Sequence, residues 1–494
     1  MSKLNKDVLF LIFEELQNDS KFLFSCLMVN RLWCETVIPI LWRKPWCYAI
    51  DYRNKNSLYS IITSYLPNDI KELLTKKGIR ISSQSLAFDY LSFCKSINIK
   101  IIDEIISVGS LSEYNLFLLQ EEIYMFLIRK CSEIKYLDIC GTYEIVYHPE
   151  AKDRLESLCE LTFDTSIDHK YFYRISHICQ QIQRINIINN NFKVNHGTTK
   201  LIVFQKNLKY FKWKDDFIID DDDYYPPPSY VELLEDPYTE IFRALEKHAN
   251  TLDHLEISLQ FDDYPNYNEY DYTFLQYTLL ELHNLKFLKI DSPIFLNSND
   301  DFNEKLEKAT YRNLEIFEIN LVNIYQVSGI IKNSFSLREL RIHDYYFESE
   351  WFIEDSLCFI RTICENCILV EYLTIPVFPL LEDHFIEFEK LLKNCQKLQS
   401  LQFLEIYYIE VNELEYEERL LNVLVKEAST NLREIEFSYD IKFSSETLET
   451  FFEKWKGRPA VSIRLNNSFD YHNDSYKNLI SKYKMEGVIK DINI

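Results

Sequence analysis

The chain has 494 residues, a formal net charge of −23 at pH 7, and 47% hydrophobic and 15% aromatic residues. This apolar content is enough for a large folded core and excludes a mostly disordered chain. The negative surplus argues against generic binding to nucleic acid or to an anionic membrane surface, because both need clustered lysine and arginine. We therefore expect neither partner.

Glycine is rare, and no two of the seven glycines lie closer than 30 residues. Walker phosphate loops, dinucleotide-binding GxGxxG motifs and GxSxG nucleophile elbows each need two or three glycines within a short stretch. The enzyme classes that use these motifs are excluded. The ten histidines show no HExxH or HxxxH spacing, so we expect no metal, no cofactor and no enzyme activity.

Residues 4–46 predict three short amphipathic helices. The first begins after Asn5, a good N-cap, and carries one apolar stripe: Val8, Leu9, Ile12, Phe13 and Leu16. The second and third helices carry the remaining apolar side chains: Leu23, Cys26, Leu27, Val29, Leu32, Trp33 and Val37. The third helix ends near Pro39, and Trp42 follows it. So small a core leaves apolar surface exposed, which is typical of a protein-binding face.

Residues 4–46 resemble the F-box, a helical module that binds Skp-family adaptors. The segment 4–16 looks like its opening hydrophobic helix, 23–33 like its central motif, and Trp42 like its closing tryptophan. Asn5 stands where proline is usual, and Asn30 where cysteine or serine is common. The resemblance implies ten adaptor-binding residues: Leu4, Val8, Leu9, Ile12, Phe13, Leu16, Leu23, Leu27, Trp33 and Trp42. The alternative is an ordinary helical cap that closes the rest of the fold.

Residues 47–118 predict a helical linker that begins the next part of the fold. Helical pieces are expected at 58–65, 69–76 and 85–94. They would join the N-terminal module to the repeats that follow.

From residue 131 onward one pattern recurs twelve times: apolar, two polar, apolar, one polar, apolar, as in LHNLKFLKI at 282–290. The first apolar anchors stand at 134, 158, 182, 208, 252, 285, 314, 337, 370, 398, 432 and 460. Most steps between them lie near the 20–29-residue period of leucine-rich repeats. The second and third anchors are two residues apart, so they point to one face of a short strand.

Stretches of helical periodicity precede several triplets, at 121–130, 351–364, 385–393 and 417–428. One unit is then an outer helix, a turn and an inner strand, and such units must stack to bury their apolar faces. Four units have cysteine three residues before the first anchor, namely Cys131, Cys179, Cys367 and Cys395, which resembles the leucine-rich repeats of F-box proteins. The predicted fold is an α/β repeat: a three-helix F-box at 1–46, then a curved leucine-rich-repeat solenoid at 119–465 with outer helices and inner parallel strands, and a C-terminal cap or tail at 466–494.

Two inserted segments are acidic and rich in tyrosine. The first lies near 214–240 and contains four consecutive aspartates and three consecutive prolines; the second is 261–272. Together they are candidates for a patch that receives a basic partner. The alternative is that they are surface insertions without a specific role, which folds tolerate well.

F-box proteins with leucine-rich repeats are substrate receptors of SCF-type ubiquitin ligases, and the resemblance implies that role here. It implies a Skp-family adaptor and, through it, cullin and RING subunits, with a protein substrate on the repeats. The outward strand residues are candidates for substrate contact: Asp138, Asn186, Lys212, Glu256, Lys289, Glu318, Arg341, Thr374, Gln402 and Glu436. For each residue taken individually, a solvated strand position is the favoured explanation. The alternative function is a leucine-rich-repeat scaffold or regulator acting outside ubiquitylation.

Twelve scattered cysteines with mostly apolar neighbours indicate reduced thiols in an intracellular protein. No run approaches the length of a membrane span, and the N-terminus lacks a secretory pattern. We expect a cytoplasmic or nuclear location.

Overall fold

The structure is a computed structural model. It describes residues 5–17, 19–47, 52–140, 145–190, 195–216, 238–259, 272–292, 294–295, 299–320, 323–343, 352–404, 413–438, 443–465 and 474–492. The chain divides into two compact units. The first comprises Met1–Tyr210 and Asp216–Ile241, and the second comprises Phe211–Asp215 and Phe242–Ile494.

The N-terminal segment forms three helices: α1 (Lys6–Glu15), α2 (Ser20–Cys26) and α3 (Arg31–Leu41). Each begins after a side chain that accepts a hydrogen bond from the first helical turn: Asn5, Asp19 and Asn30. Such caps satisfy backbone N–H groups that the helix itself leaves unpaired. Asn5 and Asn30, the two departures from the F-box pattern, are therefore both N-caps. Helix α3 continues two residues past Pro39 and ends at Leu41; the proline lacks the N–H that would bond to the Glu35 carbonyl.

The linker contains α4 (Tyr52–Ser64), which overlaps the predicted helix at 58–65 but begins earlier, and α5 (Asn68–Lys76), which overlaps the one at 69–76. The predicted helix at 85–94 is wrong, since only a 3₁₀ turn at Tyr90–Phe93 forms there. The Tyr65 hydroxyl donates to the Phe88 carbonyl at 3.3 Å and accepts from the Leu91 N–H at 3.4 Å, so a tertiary contact replaces helical hydrogen bonds. Strand β1 (Ser96–Asn98), α6 (Ile99–Ile106) and α7 (Glu113–Lys130) follow.

The twelve predicted triplets all coincide with strands. These are β2 (Tyr136–Asp138), β3 (Glu160–Asp164), β4 (Arg184–Asn189), β5 (Tyr210–Asp215), β6 (His254–Ser258), β7 (Phe287–Asp291), β8 (Ile316–Asn320), β9 (Glu339–Ile342), β10 (Tyr372–Pro376), β11 (Ser400–Leu404), β12 (Glu434–Ser438) and β13 (Val461–Leu465). The first eleven anchors are completely buried, whereas Ala460 is half-buried. A further strand, β14 (Ile489–Ile492), pairs with β13.

Helices separate most of these strands. They are α8 (Ala151–Leu155), α9 (His169–Ile178), α10 (His196–Phe204), α11 (Thr239–Leu245), α12 (Thr273–Glu281), α13 (Asp300–Lys308), α14 (Ile324–Ile331), α15 (Phe352–Asn366), α16 (Glu382–Asn394), α17 (Glu413–Glu427), α18 (Ser445–Trp455) and α19 (Asp474–Met485). Consecutive helices pack on one another, for example α14 on α15 and α15 on α16. This stacking of neighbours is what a repeat solenoid requires.

Strand pairing is parallel and follows chain order within each unit. In the first unit β1 to β4 pair in sequence, and in the second β6 to β14 do so. Equivalent anchors face each other, as where Leu288 pairs with Phe317 and Phe317 with Leu340. The α/β repeat class with parallel strands is therefore confirmed.

The four repeat cysteines lie at helix ends and are fully buried. The Cys179 thiol donates to the carbonyl at the end of the preceding repeat's helix, Leu155, at 3.2 Å. Cys395 makes the equivalent contact to the Cys367 carbonyl at 3.7 Å. A small, weakly donating side chain thus fits between successive helix ends.

Candidate protein-interaction site

The three N-terminal helices share one small core. Its buried members are Leu9, Phe13, Leu23, Cys26, Val37, Ile40 and Leu41, and five larger side chains pack at its margin: Leu16, Leu27, Leu32, Trp33 and Trp42. Phe13 meets Trp33 edge to face with ring centroids 5.3 Å apart, a favoured aromatic geometry. The core places α1 and α2 on α3.

The structure separates the ten predicted adaptor-binding residues into groups. Leu9, Phe13 and Leu23 lie inside the core, so they hold the helices together and present no surface to a partner. Four more are half-buried at the core margin: Leu16, Leu27, Trp33 and Trp42. Only Val8 and Ile12 are exposed. Leu4 lies outside the described residues.

Among the described residues of this module, eight apolar side chains are exposed to solvent, and we call them the N-terminal exposed set: Val8, Phe10, Leu11, Ile12, Phe22, Phe24, Met28 and Val29. Leu11 is 66% exposed and Met28 is 87% exposed. Val8, Leu11 and Ile12 are three and four residues apart, so they form one stripe along α1. Exposed apolar surface concentrated in so small a module marks an interaction site.

Sequence reasoning missed six members of this set as binding residues: Phe10, Leu11, Phe22, Phe24, Met28 and Val29. A signal was nevertheless present, because residues 8–13 are six consecutive apolar residues. Six residues turn through more than one and a half helical turns, so they cannot all face one core. An unbroken apolar run in a short surface helix therefore predicts an exposed apolar stripe as well as a buried one.

The segment that follows α3 connects the three N-terminal helices to the first strands by hydrogen bonds and a ring contact. The Trp46 indole N–H donates to the Ser96 carbonyl at 2.9 Å in a buried contact. The Lys95 N–H donates to the Arg43 carbonyl at 3.0 Å, and the Trp42 and Tyr90 rings lie 4.7 Å apart. Because backbone and ring contacts combine here, the module is held as part of the first unit.

One ion pair ties α1 to the same segment. The Arg43 guanidinium donates to both carboxylate oxygens of Glu14, from Nη1 at 3.0 Å and from Nη2 in a shorter contact. These hydrogen bonds lower the pKa of Glu14 below its usual value, since they favour the ionised carboxylate. Bidentate pairing also fixes orientation, so the direction of α1 is set relative to β1.

A helical cap that only closed the repeats would bury its apolar residues against them. Here α1 and α2 pack on α3, and α3 packs on the turn around Tyr90, while the N-terminal exposed set remains in solvent. This arrangement favours an interaction module over a cap.

The ten outward strand residues form cross-strand pairs. In the second unit Lys212 pairs with Glu256 at 2.7 Å and Lys289 with Glu318 at 2.8 Å. In the first unit the Asn186 amide donates to the Thr162 hydroxyl at 3.0 Å. Nine of the ten are half-buried, and Thr374 is buried. The charges along this row largely neutralise one another.

The two acidic segments lie mostly outside the described residues, which omit 217–237 and 260–271. Across the parts of the chain that the structure does describe, no helix has the length and apolarity needed to cross a bilayer. The same parts contain no group of three or more histidine, cysteine, aspartate or glutamate side chains arranged to hold a metal ion.

No protein-family model matches the chain, and no curated protein matches it. Among solved structures it is similar to a chain of the "Crystal structure of Rad7 and Elc1 complex in yeast". The two share 13% identity at a TM-score of 0.40, over 100% of this chain and 99% of the other. A likeness this low assigns no family, so functional assignment rests on this chain's own residues.

Proposed function

We propose that this chain is the non-catalytic substrate-recognition subunit of an SCF-type ubiquitin ligase. Helices α1–α3 bind a Skp-family adaptor, and the repeats bind a protein substrate. The observation that supports this most is the N-terminal exposed set on a module whose sequence resembles the F-box. An obligate partner surface of this kind stays apolar because the partner covers it.

The mechanism is positional. The adaptor connects the chain to cullin, the RING subunit and a ubiquitin-charged E2 enzyme, while the repeats hold the substrate. Tethering raises the effective concentration of substrate lysines at the E2 without any chemistry by this chain. The Trp46 and Arg43 contacts support such a role, since they join the adaptor-binding module firmly to the first strands.

The test is adaptor binding by variants of the exposed stripe. Leu11→Asp combined with Ile12→Asp places two charges on the stripe and leaves the core intact, because both side chains are exposed. Leu9 is unsuitable for this purpose, since a charge at a buried position disrupts the fold. The matched control is Leu111→Asp, a fully exposed leucine elsewhere in the first unit.

We expect the wild type and Leu111→Asp to bind the Skp-family adaptor equally in a pull-down and by calorimetry. The double variant should bind at least about tenfold more weakly, since charges in an apolar contact centre are costly. Circular dichroism must show that it remains folded. Equal binding by all three proteins, or none by the wild type, would contradict the proposal.

Asn5, in place of the usual proline, favours one alternative: a leucine-rich-repeat scaffold or regulator acting outside ubiquitylation. Its side chain caps α1, but it does not present the ring that an adaptor meets in a proline-containing module. Mixing the chain, adaptor and purified cullin distinguishes the two. A ternary complex supports the ligase subunit, whereas adaptor binding without cullin recruitment supports the alternative.

A further inference from the structure

A pocket of about 180 Å³ opens on the outward face of the first strands, beside the segment that follows α3. Lys44, Trp46 and Cys47 line one side. The outward residues of β1, β2 and β3 form its floor, among them Ser96, Asp138 and Glu160. Drug-sized ligands occupy roughly 300–1,000 Å³, so this space suits the head group of one side chain.

A buried hydroxyl lies on this floor. Ser96 is 5% exposed, and its Oγ makes no hydrogen bond of acceptable geometry to the described residues, although it lies near the Cys94 thiol and helps to lower the pKa of that thiol. Side chains alternate along a strand, and Ile97 points into the core, so Ser96 shares the outward face with Asn98. An unsatisfied buried hydroxyl costs folding free energy, so a group that hydrogen-bonds to Ser96 would offset that cost.

Asp138 lies diagonally from Ser96 on the neighbouring strand, opposite Asn98, and has unused hydrogen-bonding capacity. Its carboxylate accepts from the Asn98 amide at 2.8 Å and from the Cys140 N–H at 3.1 Å. The Cys140 side chain also hydrogen-bonds to this carboxylate. A carboxylate offers about four acceptor sites, so about one remains. Burial raises the pKa of Asp138, and the electrostatic influence of Lys100 only partly offsets it.

The other charges of the pocket already have partners. Glu160 lies 3.8 Å from the Lys44 ammonium and 3.7 Å from the Arg184 guanidinium. The Lys44 ammonium also sits 3.2 Å above the centre of the Tyr136 ring. Asp138 is therefore the acidic group of this pocket that lacks a lysine or arginine ion pair among the residues described.

We propose that this pocket binds an ammonium or guanidinium group, with Asp138 as its counter-ion and Ser96 as a second acceptor. Ser96 pairs with Tyr136, two residues before Asp138 on the neighbouring strand, so the two acceptors lie diagonally. A guanidinium has five N–H donors and an ammonium three, and either can serve both acceptors. Within the proposed receptor function, on which this assignment rests, the cation is a lysine or arginine side chain of the substrate.

The exposed thiol of Cys47 lines the same pocket and provides a handle for the test. The full chain is equilibrated in a thiol buffer with cystamine or with 2-hydroxyethyl disulfide. Attack by the Cys47 thiolate on either reagent forms a mixed disulfide and releases the other half as a thiol. The two attached groups have similar length and differ in carrying an ammonium or a hydroxyl. Peptide mass spectrometry gives the labelled fraction at Cys47 and, as an internal reference, at the exposed Cys358.

We expect the ratio of cystamine labelling to 2-hydroxyethyl disulfide labelling to be about fivefold higher at Cys47 than at Cys358. A roughly fivefold ratio corresponds to the strength of a partly exposed ion pair. Asp138→Asn, which keeps the shape of the side chain, should remove this preference. Glu156→Gln, which removes an exposed charge of the same unit outside the pocket, should retain it. Equal labelling by both reagents in the wild type, or an unchanged preference in Asp138→Asn, would overturn the proposal.

Competition identifies the source of the cation. Nα-acetyl-arginine amide or Nα-acetyl-lysine amide should reduce cystamine labelling at Cys47 more than putrescine does at equal concentration. The reverse order would overturn the assignment to a substrate side chain. No adaptor is present in these measurements, so failure of adaptor binding and failure of the pocket are separate results.

Discussion

Leu9 and Leu11 are two residues apart on α1 and occupy opposite environments. Leu9 is 1% exposed in the module core, and Leu11 is 66% exposed. Replacing each in turn with alanine tests the orientation of α1, and hence whether the exposed stripe is the one described.

The expected magnitudes differ clearly. Truncating a buried leucine to alanine removes buried apolar surface and leaves a cavity, which lowers the free energy of unfolding by about 2–5 kcal/mol. We expect a loss of about 3 kcal/mol for Leu9→Ala. Leu11 buries only a third of its surface, and alanine is at least as good a helix former as leucine. Leu11→Ala should therefore cost less than about 1 kcal/mol.

Hydrogen exchange measured by mass spectrometry reports the local stability of α1–α3 directly. A cost of about 3 kcal/mol raises exchange through local opening by roughly 100-fold. We expect this increase across α1–α3 peptides in Leu9→Ala and little change in Leu11→Ala. Comparable increases in both variants would refute the assigned orientation of α1 and with it the exposed stripe.

Three further outcomes follow from individual groups. Iodoacetamide should modify the exposed Cys47 long before Cys395, because burial raises the pKa of Cys395 to about 12 and excludes reagent; mass spectrometry over time measures both. Lys289→Met should destabilise the second unit by less than about 1 kcal/mol in urea unfolding, and by still less in 1 M salt, since its ion pair is partly exposed. Arg43 lowers the pKa of Glu14, so ionised Glu14 stabilises the fold above the unfolded pKa of about 4.3, and this contribution is lost as pH falls through the folded pKa. The difference in urea-unfolding stability between wild type and Glu14→Gln should therefore shrink between pH 7 and pH 3.

The repeat strands were predictable because each follows a fixed apolar pattern. A first apolar anchor precedes the strand, and two buried residues two positions apart follow it. That pattern identified β2 to β13, whose first anchors are buried in all but the last unit. Strand β1 has the same spacing in Cys94, Ile97 and Ile99, but its first anchor, Cys94, falls inside the helix predicted at 85–94. The sequence pattern therefore assigns this strand to the linker.

Other features depend on tertiary contacts that a local pattern does not contain. The segment 85–94 has helical spacing, yet its Phe88 carbonyl and Leu91 N–H hydrogen-bond to the Tyr65 hydroxyl instead of to helical partners. The pocket around Asp138 combines side chains from three strands and the segment after α3, and no single motif brings them together. The exposed stripe on α1 was only partly predictable. The apolar run at 8–13 indicates it, because six consecutive residues of a helix cannot all face one core.

The most direct test of the central claim is a hydrogen-exchange footprint of the full chain with and without a purified Skp-family adaptor. We expect adaptor binding to slow exchange in the peptides of α1 and α2, because the N-terminal exposed set becomes covered. Exchange in β6 to β14 should stay unchanged. Binding that leaves α1 and α2 unprotected, or that protects only the repeats, would contradict the assignment of these helices as the adaptor-binding module.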